Sequence, residues 1–106
     1  MEVVDACLLL DFYGQLLTER MRMILELHFA EDMSLAEIAE QENISRQAVH
    51  DAIRRGRSSL EEYEEKLGLV KRFMSQKLVI RDAVEALEKN DTKRAHLMLS
   101  ELMDTL

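Results

Sequence analysis

Proline is absent from this 106-residue chain, which also holds only three glycines and one cysteine. Without proline no helix is kinked or stopped from within, and few stretches alternate β-branched residues. Both features predict an all-α protein. A single cysteine excludes an internal disulfide, so a reducing, cytoplasmic setting is expected. Cys7 itself reads as a small buried hydrophobe on a helix. No secretory or Arg-rich transit pattern is read at the start, and no apolar run approaches the ~18 residues of a membrane span. The run Leu8–Leu10 is bracketed by Asp5 and Asp11, and no membrane partner is expected. His28, His50 and His96 are scattered, with no cysteine or second histidine at ligand spacing, so no metal is expected. Phosphate loops, dinucleotide fingerprints and Ser/His/Asp groupings are missing as well. Neither a cofactor nor catalysis follows from such a sequence.

Positive charge is scarce overall and concentrated in one place. The net charge is −7, yet Ser45 to Ser58, SRQAVHDAIRRGRS, carries Arg46, Arg54, Arg55 and Arg57 against Asp51 alone, or +3. Residues 1–44 hold ten acids and two bases, and residues 59–106 hold ten acids and eight bases. A pI near 4.9 argues against coating a polyanion through bulk charge, because affinity scales with the phosphates neutralised. Local recognition remains open, since screening limits a charge's reach to ~8–10 Å. The acidic remainder then repels phosphates everywhere except at the basic segment.

Apolar residues make up 47% of the chain, enough for one modest core in a single small domain with or without an extension. A first helix is predicted from about Glu2 to Tyr13, stopped by Gly14. A second follows Thr18 as N-cap and ends near Ala30, with Met21, Ile24, Leu25 and Leu27 on one side. Ser34 and Glu37 have the spacing of a capping box, and Leu35, Ile38 and Ala39 form a buried stripe behind it. Asn43 tolerates a left-handed conformation that ends this short helix, Ile44 plugs the corner, and Ser45 caps the next helix. The inward face of that helix reads as Ala48, Val49, Ala52 and Ile53. Its pattern continues through Leu60, Tyr63 and Leu67, predicting one helix unbroken to Gly68. Two further helices are expected, from about Leu69 to Lys89 and from Asn90-Asp91 onward, rich in apolar positions from Val70 to Leu106.

A helix, a turn and a basic helix form the geometry of a helix-turn-helix, whose second helix enters a major groove while its back packs on the first. At 100° per residue, Gln47, His50, Asp51, Arg54 and Ser58 lie opposite the apolar face, with Arg46 and Arg57 on one flank and Arg55 on the other. Gln pairs with adenine and Arg with guanine at the groove edge, while flanking arginines contact phosphate. Asp51 suits a cytosine amine or the orientation of a neighbouring arginine. The candidate nucleic-acid-binding residues are therefore Arg46, Gln47, His50, Asp51, Arg54, Arg55 and Arg57. A solvated amphipathic helix with no specific role is the plainer alternative. The run Glu61-Glu62-Tyr63-Glu64-Glu65 reads as a solvated face around a buried Tyr63.

LLTERMRMILELHF followed by SLAEIAEQENISRQAVHDAIRRGRSSLEEY resembles region 4 of bacterial sigma factors. The motifs LLDFYGQLLTERM, ISRQAVHDAIRR and LEEYEEKLGL, over residues 9–69, are similar to the YlxM family of small proteins related to that region. The resemblance implies a sigma region-4-like helix-turn-helix bundle with a long C-terminal helical extension, and a link to the signal recognition particle pathway. Promoter DNA, the particle's RNA or its GTPase are the partners so implied. Sigma region 2 is not found in the chain, so directing polymerase alone is not expected. Residues 1–67 are assigned to the helix-turn-helix domain and 68–106 to the extension.

Lys71, Arg72, Lys77 and Arg81 in the extension form either a second basic patch or the solvated side of a helix. Its apolar content is high for a lone helix, so it either folds back or pairs with a second copy; a homodimer is expected. The leading functional expectation is a regulatory protein that binds DNA or RNA through the recognition helix. The alternative is a protein-interaction module that binds a signal recognition particle GTPase without specific nucleic-acid recognition.

Overall fold

The computed structural model describes residues 5–106, and among these it contains six α-helices and no strand. They are α1 (Ala6–Tyr13), α2 (Glu19–Phe29), α3 (Leu35–Glu42), α4 (Arg46–Leu67), α5 (Leu69–Glu88) and α6 (Thr92–Thr105), with a 3-10 turn at Gly14–Leu16. The chain divides into two compact units, one reaching Val70 and the other spanning Lys71–Leu106.

Local chemistry sets most helix ends. Asp5 is non-helical and accepts from the Cys7 N–H at 2.7 Å, so α1 starts at Ala6; the expected start near Glu2 lies outside the described residues. α1 ends at Tyr13 with Gly14 as its C-cap, as expected. The φ of Gly14, −55°, is right-handed, and the chain tightens into the 3-10 turn. Thr18 caps α2 through the Met21 N–H at 3.3 Å. Ser34 and Glu37 form a reciprocal capping box, each side chain accepting from the other residue's backbone N–H at 3.1 Å. Those bonds from Ser34 hold the Glu37 carboxyl below its ordinary pKa. Asn43 ends α3 at φ 56°, and the αL residue reorients the chain so that Ser45 can cap α4 by accepting from Ala48 N–H at 3.0 Å.

Two apolar clusters fill the first unit. One holds Leu9, Leu10, Tyr13, Leu25, Leu60 and Val70; the other holds Ile24, Ile38, Ala39 and Val49, with Ile44 against it at the α3–α4 corner. Ile53 of α4 packs on both. The buried face of α4 is Val49, Gly56 and Leu60, with Ile53 half-buried. Ala48, expected to face inward, is exposed, and so is Leu67. Spaced at four, three and four residues, the true stripe lies about 100° from Ala48. Gly56 completes it through its lack of a side chain: a Cβ there would stand 2.5 Å from Leu25 Cδ1 and 3.0 Å from Met21 Sδ. A side chain at this position is admitted only if Leu25 and Met21 give way.

One polar network closes this unit. Tyr13, 1% exposed, donates through its hydroxyl to Glu64 Oε1 at 2.6 Å and accepts from the Leu69 N–H at 3.0 Å. The same Glu64 oxygen accepts from the Val70 N–H at 2.9 Å. Gly68 turns left-handed at φ 63° to end α4, and the two side chains then satisfy the first N–H groups of α5, which would otherwise be orphaned. Burial, followed by the bond to Glu64, pushes the Tyr13 hydroxyl above its ordinary pKa.

The second unit is a helical hairpin. Asn90 at φ 61° turns the chain, and Asp91 caps α6 through the Arg94 N–H at 3.1 Å. Ala83 and Ala86 of α5 meet Ala95 and Met98 of α6. Val79 shares a groove with Met98 and Leu102, and Arg72 reaches the Thr105 carbonyl at 3.2 Å, so the helices run antiparallel.

Candidate nucleic-acid interface

The first three turns of α4 carry the residues expected at the site. Their back is fixed by Val49, fully buried against Ile24, Ile38 and Ala39, and their start by the Ser45 cap. Arg46, Gln47, His50, Arg54 and Arg55 are all exposed on the outer side. A helix pinned behind and capped in front presents its polar row in one orientation, as a groove reader must.

Asp51 organises that row. Its Oδ1 accepts from Gln47 Nε2 at 3.1 Å and stands 3.6 Å from Arg54 Nη2 and 3.8 Å from His50 Nδ1. Three of the side chains expected at base edges thus converge on one half-buried carboxylate. Each such contact is weak at an exposed site, ~0.2–1 kcal/mol. Their shared value is positional, since they restrict the rotamers of Gln47 and Arg54 before any ligand arrives.

Arg55 lies on the other flank of Asp51, on a shallow groove of about 350 Å³ between α2 and α4 that is also lined by Thr18, Arg20, Asp51 and Ala52. Arg20, exposed in the first turn of α2, shares this groove and is absent from the set expected from sequence. The signal for it is its place two residues after the Thr18 cap, on the helix that precedes the basic pair. Arg57 stands differently from the other arginines. Its Nε donates to Glu61 at 2.9 Å, its guanidinium lies 5.7 Å from the Phe29 ring centre, and it is only partly exposed. Both contacts tie it to the scaffold.

The acidic run behind the site is largely engaged within the protein. Glu61 pairs with Arg57, Glu62 with Lys66, and Glu64 turns inward to Tyr13 and Val70. Tyr63 is half-buried and packs near Tyr13, with ring centres 6.0 Å apart. Cys7 is half-buried, donates to the Phe29 carbonyl at 3.3 Å, and has its thiol pKa raised by burial and then by Asp5. His28 donates to the Met33 carbonyl at 3.0 Å. Among the described residues no group of His, Cys, Asp and Glu can hold a metal, and no helix is long and apolar enough to cross a membrane.

Comparison with known proteins agrees with this architecture. Residues 2–100 match the UPF0122 family model, described as "Putative helix-turn-helix protein, YlxM / p13 like". A UPF0122 protein of Halalkalibacterium halodurans is 45% identical over 98 residues, 92% of this chain and 90% of its own length. One from Symbiobacterium thermophilum is 43% identical over 101 residues, 95% of this chain and 94% of its own. A third, from Acetivibrio thermocellus, is 60% identical over 76 residues, 72% of this chain and 65% of its own length. With nearly the whole chain matched by the family model and by full-length relatives, this all-α helix-turn-helix protein belongs to the UPF0122, YlxM/p13-like family.

Proposed function

We propose that the chain is a non-enzymatic, cytoplasmic regulatory protein that binds nucleic acid by laying the first turns of α4 in a major groove. Gln47, His50 and Arg54 face base edges, with Asp51 holding them or accepting from a cytosine amine. Arg46 and Arg55 face phosphates, and Arg20 extends that contact along the groove beside Arg55. Arg57 reaches a phosphate only by leaving Glu61, so its part is chiefly to brace α4. The observation that carries this reading is the exposed polar row converging on Asp51, on a helix whose back is buried and whose start is capped.

Family membership supports a finer assignment: a sigma region-4-like reader tied to the signal recognition particle pathway, with the particle's RNA as a ligand to set beside promoter DNA. A homodimer suits this role, because two-fold helix-turn-helix readers engage two half-sites. The alternative, a module for the pathway's GTPase, has less support, since most of the acidic run that would face a basic partner is paired internally.

Binding to duplex DNA and to the particle's RNA across a salt series tests the proposal. Replacing Arg54 and Arg55 together by Ala is expected to weaken binding at least tenfold at low salt and, through the phosphate contact of Arg55, to flatten its salt dependence by ~1 in slope. Binding unchanged by that double substitution refutes the site. Recovery of the GTPase after nuclease treatment, with no affinity for either nucleic acid, favours the alternative.

A further inference from the structure

The hairpin Lys71–Leu106 buries little of its own apolar material. Its buried cluster is three alanines with Met98 against them. The large side chains lie outside: Ile80 (47% exposed), Val84 (49%) and Leu87 (49%) on α5, Leu99 (42%) and Met103 (70%) on α6, and Leu106 (73%) at its C-cap. On both helices these triplets are spaced by four residues and then three, the repeat of a helix seam. Val79 and Ala86 mark the side of α5 toward α6, and Met98 and Leu102 mark the reverse side. At 100° per residue all six exposed side chains lie roughly 80–140° round from those contact lines, in the same rotational sense. Because the helices are antiparallel, an equal rotation on each carries both triplets to the same face of the hairpin. Leu78 and Leu97 fall on the opposite face, interspersed with Glu85, Lys93 and Asp104.

We infer that this face is covered by a second copy of the chain, two hairpins stacking into an antiparallel four-helix bundle. Area favours that occupant. At roughly 100 Å² each, six side chains place on the order of 600 Å² per copy on the face, most of the ~800 Å² per partner of a stable interface. Charge favours it too. Residues 71–106 hold seven bases and six acids, against seven bases and fifteen acids up to Val70, so two copies meet here with little net repulsion.

The order of the charges sets the direction. Residues 71–81 hold four bases and no acid, and residues 82–91 hold four acids and one base. α6 begins with Lys93 and Arg94 and ends with Glu101 and Asp104. Bases at a helix start and acids at its end run against the macrodipole, so neither helix gains from this order alone. Antiparallel neighbours do gain, because the basic half of each lies beside the acidic half of the next. A second copy in a four-helix bundle supplies such neighbours at every new seam, whereas parallel seams would set like against like.

The inference rests on the two-copy reading proposed above. It is tested by sedimentation velocity on the full chain, with circular dichroism to follow helicity. Wild-type protein at tens of micromolar is expected at twice the monomer mass. Val84→Glu with Met103→Glu is expected at monomer mass with helicity retained, while Leu97→Glu remains a dimer. If the charged pair unfolds the hairpin, Val84→Ala with Met103→Ala, which keeps helix propensity, is expected to weaken dimerisation at least tenfold. A monomeric wild type overturns the inference, and so does a dimer broken by Leu97→Glu but not by the Val84 and Met103 variants. Mass without nucleic acid and binding to duplex are separate readouts. A dimer that binds no duplex keeps the interface and removes the reader; a monomer that binds keeps the reader and removes the interface.

Discussion

Replacing Tyr13 by Phe removes one oxygen and leaves the ring, so it isolates the network that joins α1, α4 and the start of α5. The hydroxyl donates to Glu64 at 2.6 Å and accepts from Leu69 N–H at 3.0 Å. A hydrogen bond to a charged group contributes ~1.5–3 kcal/mol net, and a donor left unsatisfied in a part-buried site costs ~1–3 kcal/mol. The two terms overlap because one water can serve both partners, so the expected loss is about 2–4 kcal/mol. In a domain of this size that lowers the melting temperature by roughly 8–16 °C. Urea unfolding followed by circular dichroism measures the loss directly. A second arm uses pH. The folded Tyr13 pKa is raised, by burial first and by Glu64 second. Its contribution is therefore complete below the unfolded phenol value near ~10 and falls as pH climbs through the folded value. Between those two values the wild type is expected to lose stability faster than Tyr13→Phe. A loss under ~0.5 kcal/mol, or identical alkaline limbs for the two proteins, refutes the reasoning.

Gly56→Ala gains up to ~1 kcal/mol of helix propensity but forces a methyl to within 2.5 Å of the fully buried Leu25. A net loss of about 1–2 kcal/mol in urea unfolding is expected, overpacking outweighing propensity. Ser45→Ala removes the cap on Ala48 N–H and is expected to cost ~1 kcal/mol, read by the same assay; a neutral result would mean that water replaces the cap at no penalty. Asp51→Ala, under the proposed function, takes the one acid out of the basic stretch. It is expected to raise affinity for random duplex and steepen its salt slope by up to ~1, while preference for any specific site declines because Gln47 and Arg54 lose their common anchor.

Features that depend on near neighbours in the chain were legible, and those that depend on distant ones were not. Ser34 with Glu37, Asn43, Ser45 and Asp91 announce their helix ends because capping is chemistry over three residues. The length of α4 to Gly68 follows from its periodicity. Periodicity misplaces the inward face of that helix, however, because Gly56 carries no hydrophobic signal while Ala48 carries a false one. The Tyr13–Glu64 bond joins residues 51 positions apart, and nothing local distinguishes Glu64 from its three acidic neighbours. At the candidate site the polar row was readable from helical spacing. The convergence on Asp51 required rotamers, Arg20 required the packing of α2 on α4, and Arg57's engagement required the position of Phe29.

Charge connects the proposed reader with the proposed interface. With Arg57 tied to Glu61 and Arg54 assigned to base edges, each copy has three exposed arginines for phosphates, Arg46 and Arg55 on α4 and Arg20 on α2, and the rest of its unit is acidic. Three phosphate contacts give a salt slope near −3, too shallow for tight binding at ordinary ionic strength. Adding arginines to α4 would deepen the slope, but each must displace a side chain proposed to read bases or a core residue. Joining two copies deepens it at no such cost: the slope approaches about −5 to −6, and the second contact becomes intramolecular once the first is made. Two units of net −8 resist being joined, and the repulsion falls off over ~8–10 Å of screened solvent. A near-neutral hairpin whose helices run from basic to acidic is therefore the segment through which joining costs least, and the same segment displays the apolar face that has no core of its own to fill.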